Sequence, residues 1–396
     1  MVMHKGSVRN PRFVRFLGPG LGGRVVMGGS AALAVLGLAV LSGCRSSQPT
    51  TTPEATSAQI DAEDRPAHSR LGYRLDWRGH AASPTDASVR HFIPLGDVVV
   101  YHDTRNNLTI MENDTGRIRW SMSLGSPLTR FVGHARIGDR LVTASDTDVQ
   151  LFDVRTGDLI DRMRLEAIAN SGPVMMGPLA VFGSATGEAY AIRVSGGFKQ
   201  WGHLLDGPIT ARPTRVDSET VAFVSDVGDV IFIDAESGSA FGRRQKIFGG
   251  TRTNPVTDGR TVYIGGMDQS VWAFDAEDGR LRWRLRTEMP VTAQPRVWRD
   301  RVFVDLPRLG FTAINATDGS VIWSNDKIRG EAISARAGNL IVWDGKEAVV
   351  VDRQRGDVIE RVPFTGFARV MAETFEDGSL FTISNDGTIH KYSPSF

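Results

Sequence analysis

A period of about 40 residues runs through this chain and leaves little choice of fold. It is marked by Gly116, Gly157, Gly197, Gly238, Gly279, Gly319 and Gly356, spaced 41, 40, 41, 41, 40 and 37 residues apart. Each glycine sits in one short phrase. In the clearest copies it reads Ala273-Phe274-Asp275-Ala276-Glu277-Asp278-Gly279 followed by Trp283, and Ala313-Ile314-Asn315-Ala316-Thr317-Asp318-Gly319 followed by Trp323. A fixed period of this length is the mark of a repeat architecture. An alternating strand runs into Asp or Asn, the Gly supplies the positive φ that closes a short bulged hairpin, and a second strand follows. Trp120, Trp201, Trp283 and Trp323 all lie four residues past the Gly, in register to pack against a neighbouring unit. The other copies hold Asp161, Gly242 and Glu360 there, so the docking is imperfect.

Each period holds four short strands. Around residues 252–285 the turns fall at Asp258-Gly259 and Met267-Asp268, and residues 207–244 read the same way. Four antiparallel strands per 40 residues describe one blade of a β-propeller. The chain ends with three strands of a last blade. Its missing outer strand stands at the front, where Trp77 precedes Trp120 by 43 residues. The expectation is all-β: an eight-bladed propeller over residues 71–396, closed by the N-terminal strand, which leaves no end blade to fray.

Residues 1–43 stand apart. Lys5, Arg9, Arg12, Arg15 and Arg24 precede an apolar run over residues 31–41, then Leu41-Ser42-Gly43-Cys44. This is the pattern of a bacterial lipoprotein signal: the thiol of Cys44 accepts the lipid, and small residues admit the peptidase. Cys44 is the sole cysteine of the chain, which excludes an intramolecular disulfide. Residues 44–70, rich in Pro, Ser and Thr, read as a disordered tether. Arg45 is not the Asp of inner-membrane retention, which favours sorting to an outer membrane where one exists, and otherwise to the exterior of the plasma membrane.

Charge is uninformative about partners. The signal segment carries five of the 46 basic residues and no acid, so the remainder stands at −4. No basic face emerges, and nucleic acid is not an expected partner. The eight histidines show no metal-binding spacing, and there is no nucleophile elbow or phosphate loop. Asp153, Asp234, Asp275 and Asp352 share one turn position and read as turn chemistry. The chain is expected to be neither an enzyme nor the holder of a metal or cofactor.

One pattern suggests a site. The connections entering the inner strands read Pro208-Ile209-Thr210-Ala211-Arg212-Pro213 and Pro290-Val291-Thr292-Ala293-Gln294-Pro295, with Thr253-Asn254-Pro255, Ile333-Ser334-Ala335-Arg336 and Phe367-Ala368-Arg369 as variants. Innermost strands line a propeller's channel, so Arg212, Asn254, Gln294, Arg336 and Arg369 are expected to form a polar, partly cationic ring that receives an acidic peptide or loop.

The repeat phrase resembles the tryptophan-docking motif of pyrroloquinoline-quinone-type propellers. In that motif the structural docking residues would be Trp77, Trp120, Trp201, Trp283 and Trp323. The lipobox, the tether and the wrapped N-terminal strand are similar to one branch, the BamB-like outer-membrane assembly lipoproteins. That resemblance implies a lipid-anchored scaffold, monomeric outside its complex, that assists a BamA-like β-barrel assembly complex through protein–protein contacts. The other branch, quinone-dependent dehydrogenases, uses a vicinal disulfide and a calcium site that this sequence does not supply. The alternatives are a propeller with quinone- or ligand-binding or dehydrogenase-type activity and a general envelope propeller with another partner.

Overall fold

A computed structural model describes residues 66–395, and the lipobox with Cys44 and most of the tether lie outside them. Eight sheets of four antiparallel strands form a β-propeller. Blades 1 to 7 are built from consecutive strands. Blade 8 is composite: Arg369–Ala372, Leu380–Ile383 and Thr388–Pro394 come from the C-terminus, and its outer strand is Tyr73–His80 from the N-terminus. Tyr73 pairs with Pro394 and Trp77 with Lys391. The expected closure is therefore present.

The repeated turns form for the reasons the phrase suggests. All seven marker glycines have φ between +69° and +80°, and each N–H returns to the carbonyl at the start of its turn, as from Gly279 to Asp275 at 3.0 Å. The Asp or Asn side chain holds the opposite corner: Asp275 Oδ1 accepts from the Glu277 N–H at 2.8 Å, and Asn315 Oδ1 from Thr317 at 2.8 Å. At Asp153 the N–H groups of Arg155 and Thr156 hold the carboxyl below its ordinary range. These acids are engaged in turn geometry.

The second and third strands of each blade are the buried ones, with runs such as Val98–Asp103 and Thr261–Gly266 wholly inaccessible to solvent. The core is thus a ring of apolar layers between adjacent blades, and the outer strands close it. Trp77, Trp120, Trp201, Trp283 and Trp323 donate their indole N–H to carbonyls of the next blade: Asn113, Val154, Ala235, Ala316 and Arg353, at 2.8 to 3.0 Å. Each ring lies over the next blade's marker glycine. A Cβ on Gly319 would stand 2.7 Å from the Trp283 ring. Only glycine fits beneath the indole, which links the two ends of the phrase physically.

The three departures are resolved differently. Beside Asp161, the Met163 side chain covers Gly197. Gly242 lets two backbones meet directly, and the Arg243 N–H bonds Asp278 O at 3.1 Å. Glu360 faces the place where the chain enters the ring. There it pairs with Arg70 at 2.7 Å. Arg70 ends a single helical turn, α1 (Ala67–Arg70), formed by residues expected in the tether. At the closing junction Trp77 Nε1 and the buried Lys391 Nζ both donate to Asn113 O, at 2.8 and 3.1 Å.

Candidate functional site

Strand register fixes which inner-strand residues lie at equal height around the ring. In blade 5 Val256, Tyr263, Ala273 and Trp283 are aligned across the sheet, and the corresponding inner residues elsewhere include Thr214, Arg296, Ser334 and Met371. Two residues earlier in each inner strand comes the ring position. From blade 1 to blade 8 it holds His91, Gly133, Gly172, Arg212, Asn254, Gln294, Ala332 and Arg369.

Four of the five residues expected in the ring are brought together there. Asn254 Oδ1 accepts from the Arg212 backbone N–H at 2.8 Å. Gln294 Oε1 accepts from the Asn254 N–H at 3.0 Å, and Gln294 Nε2 donates back to Asn254 O at 2.9 Å. The fifth, Arg336, is elsewhere. It stands four residues beyond the ring position, at the far end of its strand where it pairs with Asn339. There it binds Asp377 at 2.8 Å and the Gly72 carbonyl at 3.1 Å, fastening the N-terminal strand on the opposite face. The similarity of Ile-Ser-Ala-Arg to Ile-Thr-Ala-Arg suggested the wrong register; blade 7 starts its inner strand earlier in that phrase, and Ala332 takes the ring place.

Hydrogen bonds knit neighbouring blades around the channel. The Arg369 guanidinium donates to Arg90 O at 2.8 Å, Arg90 to Thr129 O at 3.3 Å, and Arg212 to Pro173 O at 3.1 Å. His91 Nε2 contacts Phe131 O at 3.1 Å. These partners are neutral carbonyls. Among the described residues, Arg90, Arg212 and Arg369 take part in none of the ion pairs, whereas Arg117, Arg119, Arg282 and Arg361 of the outer surface are paired with carboxylates. The channel wall removes part of the hydration of Arg212 and Arg369 and holds both guanidiniums below their ordinary pKa. Both stay charged at neutral pH.

Three histidines meet behind this wall, a grouping that spacings of 11 and 32 residues gave no reason to expect. His102 Nδ1 lies 2.9 Å from His134 Nε2, and His134 Nδ1 lies 3.1 Å from Thr143 Oγ1. The His91 ring lies 5.4 Å from that of His134 and 5.6 Å from that of His102. Burial and the neighbouring cations Arg369, Arg90 and Arg212 lower the His91 pKa to about 4. Burial takes His102 to about 3 and His134 well below its ordinary value. The cluster is neutral. Because His102 and His134 bond each other, they do not converge on a cation, and no metal-holding group of His, Cys, Asp or Glu occurs among the described residues.

The channel opens on the face that carries the blade-to-blade loops and the hairpins between second and third strands. A cavity of about 810 Å³ lies in that mouth, with Phe92, Ile333 and Trp343 beside Arg296, Glu331 and Arg369. Nearby Asp305 is ion-paired with Arg329 at 3.1 Å, and burial pushes its pKa up. Around the mouth the same face exposes a run of large apolar side chains. Leu128 is 94% exposed, Leu204 71% and Phe248 73%, with Ile168, Val227, Met289 and Leu309 also in contact with solvent. The loops bearing them touch one another. A Cβ on Gly207 would lie 2.9 Å from Val227, and Glu288 pairs with Arg308 at 2.6 Å beside Met289 and Leu309. Seven large apolar side chains are thus exposed on loops of one face.

The fold defines a repeat propeller with tryptophan-docked blades and exposed apolar residues on the loops of one face. The family model described as outer membrane protein assembly factor BamB matches residues 69–272 and 226–379. The chain belongs to that family. Among solved structures it is similar to BamB from Moraxella catarrhalis, at 16% identity and a TM-score of 0.65 over 81% of this chain and 97% of that one. It is also similar to the computationally designed Ika8 protein, at 14% identity and a TM-score of 0.62 over 79% of this chain and 98% of that one. At such identities these likenesses concern the fold. No curated protein sequence matches.

Proposed function

We propose that this protein is a non-catalytic, lipid-anchored scaffold of the cell envelope that assists the assembly of outer-membrane β-barrel proteins, docking on a BamA-like assembly complex. The observation that carries the reading is the apolar run on the loop face of a propeller whose repeats match the BamB family over residues 69–379. A closed ring of eight blades and a face of exposed apolar loops support this reading. Lipidation at Cys44 would hold the ring at the membrane through residues 45–65. Leu204 and Phe248 would be the central apolar anchors, because desolvating large side chains dominates such contacts.

A photocrosslinker at position 248 in the full chain, expressed in its own cells, should capture the assembly barrel protein. Leu204→Asp with Phe248→Asp should abolish that capture and lower outer-membrane barrel content while the purified variant melts like the parent. Capture of an unrelated envelope protein, with barrel content unchanged, would favour a general envelope propeller. Appearance of a quinone absorbance change on adding pyrroloquinoline quinone and calcium would favour the dehydrogenase-like alternative.

A further inference from the structure

We propose that the channel wall between blades 1 and 4 is a binding site for a small oxyanion, a carboxylate or a phosphate group. This inference goes beyond the scaffold reading, and nothing in it depends on the identity of the docking partner.

The site is a cavity of about 200 Å³. Its wall includes the ring residues His91, Gly133, Gly172, Arg212 and Asn254, with Thr210 beside them, and no carboxylate lines it. The two glycines are part of its lining. Neither has room for a side chain, since a Cβ on Gly133 would lie 2.4 Å from Gly172 O and one on Gly172 2.7 Å from Val181 O. The ring therefore has a gap of two blades, flanked by His91 on one side and Arg212 on the other.

Charge points the same way. Arg212 spends one guanidinium N–H on Pro173 O and its backbone N–H on Asn254, which leaves further donors on a side chain that remains open to the channel. Arg369, next to His91 around the ring, is bonded only to a carbonyl. A guanidinium in a channel wall without an acid partner keeps donors that a bound anion would engage by charge-assisted hydrogen bonds. By contrast, Arg244 and Lys246, themselves part-exposed, share the buried Asp229, and Arg284 has Asp268. The cavity itself supplies Arg212 with no carboxylate. The oxyanion can be a free ion that enters the channel or the side-chain carboxylate of an inserted acidic segment.

Calorimetric titration of the purified full chain at pH 7 with sodium phosphate and, separately, with hexaglutamate tests this. At least one should bind, and Arg212→Gln with Arg369→Gln should weaken it at least tenfold. Arg117→Gln with Arg119→Gln on the outer surface should change nothing. In the unmodified protein the His91 ring resonance, assigned by its loss in His91→Asn, should shift on saturation; this reading stands even if the double variant does not fold. Binding of phosphate alone identifies a free-ion site, and binding of hexaglutamate alone a site for an acidic chain segment. No heat and no His91 shift with either ligand, or unweakened binding by the Arg212/Arg369 variant, would overturn the proposal.

Discussion

The outer girdle and the inner ring of this propeller follow opposite rules. At the girdle five junctions are the same device, an indole over a glycine with its N–H on the neighbouring backbone. At the inner ring no residue type dominates: histidine, glycine, arginine, asparagine, glutamine and alanine take the equivalent places. Repetition outside supplies adhesion between blades that each bury little alone. Irregularity inside produces a channel with distinct sides, one lined by Arg212 with no carboxylate and one mixed near Arg296, Glu331 and Arg369. A repeat protein can therefore keep its stability in the positions that recur and its specificity in those that do not.

The sharpest way to break this comparison is at the girdle. Trp283→Ala should cost about 3–5 kcal/mol, read by denaturant unfolding, because it removes a buried aromatic side chain and its hydrogen bond. Equal loss from Gln294→Ala at the ring would erase the distinction. Next comes the Trp-less junction. Restoring the apparent consensus with Gly242→Trp should destabilise by about 1–3 kcal/mol. A Cβ there would already lie 2.3 Å from Asp278 O. A stabilised variant would show that the direct backbone contact is not a designed substitute for the indole.

The histidine cluster gives a smaller, pH-dependent effect. Its folded pKa values lie below the ordinary 6.5, with His91 at about 4 and His102 at about 3. Between those limits the unfolded chain binds more protons, so stability is full above about pH 6.5 and is lost as pH falls toward 4 and below. Melting temperature should drop over that interval, and His91→Asn should shallow the decline without altering the melt at pH 8. A pH-independent melt would contradict the neutral, buried cluster. The smallest effect is expected of Arg336→Gln. It should cost about 1 kcal/mol at the N-terminal strand and leave anion binding unaltered. Weakened anion binding would return Arg336 to the channel.

The glycine and tryptophan spacing was sufficient to specify the number of blades, the strand order and the closure by Tyr73–His80, because each repeated residue has a local steric task that spacing alone reveals. The bulged turn requires a positive φ, and the docked indole requires a glycine beneath it. The channel was legible only in part. Arg212, Asn254, Gln294 and Arg369 could be aligned from their neighbouring prolines and small residues. Arg336 carried the same local phrase in a different register, and only cross-strand pairing places it on the other face. The meeting of His91, His102 and His134 left no trace in spacing, since they come from an inner strand, its neighbour and the next blade. The run of exposed apolar loops was equally silent, because solvent exposure is a property of the folded surface. Local backbone demands and the repeated docking they allow are written residue by residue in the chain, whereas groupings of unlike side chains across blades, such as the histidine cluster and the recess beside Arg212, arise only when the ring closes.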